Sequence, residues 1–168
     1  STALYATAVR LALPILFCAL GEVYAERAGL VNVGLEGMML CGAFAGVIGS
    51  HYSGSPWIGA LVGMIAAIGV AAIQAGVSIN LSGDQIVVGI ALNLAVLGIT
   101  SFLARAIWEG GDVPKVDGFS DFAMPLLSDI PVLGPILFKQ GALIYVALVV
   151  AVASWWILTR TSWGLRLR

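Results

Sequence analysis

Charge is what this sequence has least of. Asp, Glu, Lys and Arg make up 10% of its 168 residues, eight basic against nine acidic, for a formal charge of −1. Soluble domains carry about 25% charged residues, and near-neutrality excludes a basic surface for nucleic acid. Histidine is almost absent too. His51 stands alone in a polar turn, and Cys18 and Cys41 fall inside apolar runs, where a free thiol behaves as a small hydrophobe. No metal-ligand spacing arises from these three residues. No GxxxxGK[ST] string occurs, so nothing here hydrolyses nucleotide through a P-loop. A basic leader segment is also lacking, since the chain starts at Ser1 and its first cation, Arg10, lies inside an apolar run. A start without Met and an end at Arg168 directly after a span lead us to expect a chain truncated at its C-terminus.

What fills the sequence instead is apolar residue, 60% by count, with a mean hydropathy of +1.03. A membrane span needs about 20 such residues. Five segments qualify: about 3–20, 30–50, 57–81, 85–104 and 141–158. The expected fold is all-α, a polytopic membrane helix bundle of about five transmembrane helices. Small residues four apart, Gly42 with Gly46 and Gly59 with Gly63, mark the second and third spans for close helix packing. Residues 108–138 differ sharply from the rest. Glu109, Asp112, Asp117, Asp121 and Asp129 face only Lys115, and Pro114, Pro125, Pro131 and Pro135 forbid a regular span. A loop is expected there, its apolar part, 119–138, lying along the interface as short broken helices. Trp155 and Trp156 read as an interfacial anchor, and Arg160, Arg166 and Arg168 place that end in the cytoplasm by the positive-inside rule. Counting back puts 108–138 outside, 80–84 inside, 50–56 outside and 22–27 inside.

The charges that remain within apolar sequence are few. Ionisable groups at membrane depth cost at least about 2.5–3.5 kcal/mol on insertion scales, and so face a path, a partner charge or the bundle interior. Arg10, Glu22, Glu26, Arg27 and Asp84 are therefore candidate structural or gating charges and Glu36 a candidate path residue, with Arg10 either snorkelling or pairing with a carboxylate such as Glu36. Asp84 is expected to cap the fourth helix through its free amides. Gly29, Gly34 and Gly37 surround Asn32, a composition that weakens a continuous helix and predicts a broken or re-entrant element. Asn32 and Glu36 share one face if that turn is helical. Gln74 and Asn93, deep in otherwise uncharged spans, complete the candidate path for a polar solute. An intramembrane enzyme would need a nucleophile and base, or a metal set, at depth, and neither is present. A structural protein whose polar groups only join helices remains open on residues alone.

The string ERAGLVNVGLEGMMLCGAF at Glu26–Phe44, then DQIVVGIALNL at Asp84–Leu94 and RTSWGLRLR at Arg160–Arg168, resembles the membrane permease subunit of bacterial ABC importers. The subgroup is that of nucleosides and simple sugars, related to ribose and branched-chain amino acid permeases. The resemblance implies one permease domain over 1–168 in the bacterial cytoplasmic membrane, forming the path for a nucleoside or related sugar. It also implies partners: a second permease subunit, an extracytoplasmic solute-binding protein, and a cytoplasmic ATPase that binds the ATP, so that this chain itself holds no cofactor. The approach to the ATPase-docking loop would be Arg160, Trp163, Gly164, Arg166 and Arg168. A secondary carrier for a small polar solute is the alternative.

Overall fold

A computed structural model describes residues 2–80, 82–108, 115–116, 118–119, 121–123, 139–162 and 164, without the side chains of 2, 3, 5, 6, 10, 121–123 and 139–143. Arg10 as a side chain, Trp163, Arg166, Arg168, Glu109, Asp112, Asp117 and Asp129 thus lie outside the described residues. The described residues form five α-helices: α1 (Thr2–Arg27), α2 (Leu35–Ser53), α3 (Pro56–Ala75), α4 (Gln85–Ile107) and α5 (Ala142–Arg160). A π-helical turn, Gly76–Asn80, prolongs α3. The one strand pair among them is three residues long, Asp121–Ala123 antiparallel to Lys139–Gly141. Interfacial helix was expected at 121–123, and the extended pairing corrects it there. Asp and Phe beside a Pro-rich stretch have little helix propensity to set against a ladder.

Three helical stretches, Thr7–Arg27, Pro56–Asn80 and Gln85–Ile107, are long and apolar enough to cross a membrane, and Ile144–Arg160 is a shorter apolar helix. α2 falls below that standard because Glu36, His51 and its glycines dilute its side chains. α1 continues helically through Pro14 and ends at Arg27. Gly29 follows in the left-handed region, φ +79°, where a Cβ would be strained. Contacts divide the chain into two compact units, residues 30–118 and residues 1–29 with 119–168.

In the unit of residues 30–118, α2 packs on α3 along facing glycines. A Cβ on Gly59 would lie 2.6 Å from the Gly46 carbonyl oxygen, and one on Gly63 would lie 2.6 Å from that of Gly42. Backbone therefore touches backbone, as the small-residue spacing predicts. The α2–α3 turn closes at Gly54, φ +67°, whose N–H donates to Ser50 O at 2.9 Å. Met38, Val70 and Val96, one from each of α2, α3 and α4, form the buried core. Asp84 caps α4 as expected, accepting from Ile86 N at 2.9 Å and Val87 N at 3.1 Å.

In the other unit, α5 buries Ile144, Ala147, Ser154 and Leu158, a spacing of three, seven and four that forms one stripe. Against α1 the contact includes Arg27 Nη1, which donates to Leu158 O at 3.3 Å in the last turn of α5. A cation at a helix C-terminus is favoured by the helix dipole. The C-terminal ends of α1 and α5 therefore lie side by side. Gly164 turns back over the same end, its N–H 3.4 Å from Thr161 Oγ1, and a Cβ there would collide with the carbonyls of Ile157 and Leu158. Arg160, Trp155 and Trp156 are exposed.

Candidate functional site

Between α1 and α2 the chain is not helical over residues 28–34, and this break is where polar side chains converge. Gly34 occupies the N-cap position of α2 and has no side chain with which to cap it. The missing acceptor comes from another helix. Asn93 Oδ1 on α4 accepts from Gly37 N at 2.7 Å, and Asn93 Nδ2 donates to Val33 O at 3.0 Å. One carboxamide thus satisfies a free amide of the α2 N-terminus and a carbonyl of the break. A second amide, Gln85 Oε1 at the start of α4, accepts from Val31 N at 2.8 Å.

Close approach makes this possible. Gly89 of α4 lies under the break, where a Cβ would come within 2.8 Å of Gly34 N and 2.9 Å of Val33 Cβ. A Cβ on Gly37 would be 2.8 Å from Asn93 Oδ1. On the opposite side, the carboxamide of Gln74 on α3 presses against Gly34 so closely that any side chain there would collide with it.

Gln74 is 7% exposed, and its Oε1 finds no hydrogen-bond donor. Four residues on, in the π-helical turn, Ser78 Oγ is likewise buried without a partner. Leaving such an acceptor unpaired costs about 1–3 kcal/mol.

Of the four expected path residues, Gln74 and Asn93 meet at the break. Asn32 lies within it, its Nδ2 3.6 Å from Met38 Sδ. Asn32 is not helical, however, so the shared helical face with Glu36 does not exist. Glycines at 29 and 34 end the helices on either side of it. Glu36 sits exposed in the first turn of α2, where an acid suits the helix dipole. Among the gating candidates, Glu26 is exposed and Glu22 and Arg27 are half-buried near the end of α1. Gln85 and Ser78 were missed, and the signal for Gln85 was its place directly after a capping acid.

Two openings lie elsewhere in the same unit. A groove of about 290 Å³ between α2 and α4 is lined by Leu40, Phe44, Val47 and Thr100, and is apolar because Thr100 Oγ1 is already bonded to Val96 O at 2.7 Å. The other, about 130 Å³, gathers Ser50, His51, Gly54 and Lys115 beside the α2–α3 turn. Neither touches the break. Among the described residues no group of three or more His, Cys, Asp and Glu could hold a metal ion.

Comparison with known proteins adds a second line. A family model described as "Branched-chain amino acid transport system / permease component" matches residues 4–168. The nucleoside ABC transporter permease protein NupC of Lactococcus lactis subsp. cremoris (strain MG1363) is 38% identical over 162 residues, covering 92% of this chain and 51% of that protein. The guanosine ABC transporter permease protein NupQ of Bacillus subtilis (strain 168) is 38% identical over 168 residues, with coverages of 94% and 52%. The putative glucose ABC transporter permease protein TsgC13 of Haloferax volcanii is 33% identical over 163 residues, with 95% and 48% covered. The chain therefore spans about half the length of the curated relatives it matches. No solved structure gives a significant match.

Proposed function

Because the chain belongs to this family of transport-system permease components, we propose that it lines the solute path of an ATP-driven ABC importer. The solute we assign is a nucleoside, with a simple sugar as the neighbouring class, following the two relatives named for nucleoside or guanosine transport. The observation that carries this reading is the helix break at 28–34, gripped by two carboxamides of α4, Gln85 and Asn93. Transporter sites gather where helices are discontinuous and backbone groups face one another. A neutral, hydroxyl-rich solute needs hydrogen-bonding partners when it sheds water, and amides provide them without a net charge.

In this reading the chain is not an enzyme. ATP is bound and hydrolysed by a separate cytoplasmic subunit, which docks beyond the Gly164 turn. Solute arrives from an extracytoplasmic binding protein, and a second permease subunit completes the path in the bacterial cytoplasmic membrane. The contact between the Arg27 and Leu158 ends supports a cytoplasmic face formed by both α1 and α5.

The test is uptake of radiolabelled nucleosides into proteoliposomes holding the full-length protein with its ATPase and binding protein. Saturable uptake that requires ATP is expected. Uptake that ignores ATP and follows a proton or sodium gradient would move the protein to the secondary carriers.

A further inference from the structure

Within the polar cluster, most hydrogen-bonding capacity is already used. Asn93 caps α2 and holds Val33, and Gln85 holds Val31. Gln74 Oε1 and Ser78 Oγ are different, being buried without a donor. They lie one turn apart on α3 and its π-helical continuation, which places them on the same side of that helix. Turns of π-helix are frequent at functional sites, because their looser ladder is kept only where something else requires it. The Gln74 carboxamide is also aimed at the N-cap of α2, the glycine with no side chain of its own.

We infer that Gln74 and Ser78 form a solute-reading pair that accepts hydrogen bonds from neutral donor groups, hydroxyl or ring N–H, of the transported solute. This rests on the reading of the chain as a solute-path subunit and names the side chains that discriminate. Asn93 already uses one bond at each end of its amide to hold the break. The pair carries no charge, and Glu36 at the nearby α2 N-terminus is exposed. An uncharged acceptor pair favours a nucleoside over its phosphorylated form, whose anionic oxygens need donors or cations.

The same donor chemistry could come from a trapped water, and the experiment separates the two sources. Equilibrium binding of radiolabelled nucleosides to the full-length protein in nanodiscs is measured for the unmodified protein, Gln74→Leu and Ser78→Ala, alongside each thermal midpoint. Solute reading predicts a Kd raised about tenfold for Gln74→Leu and several-fold for Ser78→Ala. It also predicts midpoints that are unchanged or higher, because an unpaired buried amide is replaced by an apolar group of similar size. Unchanged Kd with a lowered midpoint would assign the pair to a structural water and overturn the inference. Absence of nucleoside binding by the unmodified protein would overturn it as well. If binding shows the Gln74 effect but uptake ignores ATP, the importer reading fails while this inference stands.

Discussion

Replacing Asn93 by Ala removes two hydrogen bonds at once, the 2.7 Å bond from Gly37 N and the 3.0 Å bond to Val33 O. Each such bond contributes a net of about 0.5–1.5 kcal/mol, and the first is also a side-chain cap for the α2 N-terminus, which Gly34 itself cannot offer. Caps are typically worth about 1 kcal/mol. The expected loss is therefore about 2 kcal/mol, or roughly 4–8 °C of Tm at about 2–4 °C per kcal/mol for a domain of this size. Gln85→Ala removes a single, more exposed bond and should lose about half as much. The assay is thermal unfolding of the full-length protein in detergent for both variants, with nucleoside Kd measured on the same samples. A Tm within about 1 °C of the unmodified protein, combined with a weakened Kd, would refute the assignment of Asn93 to the clamp and return it to the solute path.

Three further outcomes follow from the same geometry. Gly63→Ala should destabilise by about 1–3 kcal/mol through the collision with Gly42 O, whereas Gly69→Ala, which meets nothing within 4 Å, should be neutral or stabilising by up to about 1 kcal/mol; paired unfolding curves decide this. Asp84→Ala should cost about 1 kcal/mol by removing the acceptor for Ile86 N and Val87 N, and Asp84→Asn should restore most of it. Glu36→Gln should reduce uptake with membrane insertion intact, and normal uptake by that variant would leave Glu36 as an acid serving only the α2 N-terminus.

Most of the fold was legible because lipid imposes few solutions. Long apolar runs bounded by Gly, Pro and Asp define helices almost by length alone, and the glycine pairs of α2 and α3 announced their own contact. Asp84 was legible as a cap because an acid directly before an uncharged run has few other uses. The break was legible only in part. Gly29, Gly34 and Gly37 signalled an interruption, but the second span was expected from residue 30, and α2 begins at Leu35. No local pattern reveals that the α2 N-terminus is capped at Gly37 by an asparagine 56 residues further along the chain. For the same reason Asn93 read as a solute-facing amide by depth, although its partners are backbone. Ser78 gave no signal, since a serine in an apolar run more often bonds to its own helix.

The glycine-to-glycine seam of α2 and α3 bears on how the protein enters the membrane. α2 alone falls short of the apolar helices in length and hydropathy together, while α3 with its π-turn, Pro56–Asn80, is among the most apolar stretches of the chain. Joined through Gly54 and Ser55 alone and fitted backbone to backbone, the two form a helical hairpin whose second arm supplies the driving force that the first one lacks. Insertion as a pair follows, so that Glu36 reaches the bilayer only when α3 is already made, and the cap from Asn93 forms once α4 has followed. A substitution that pries the glycines apart would then show itself first in biogenesis, as protein left in the insertion machinery or degraded, before any effect on transport could be recorded.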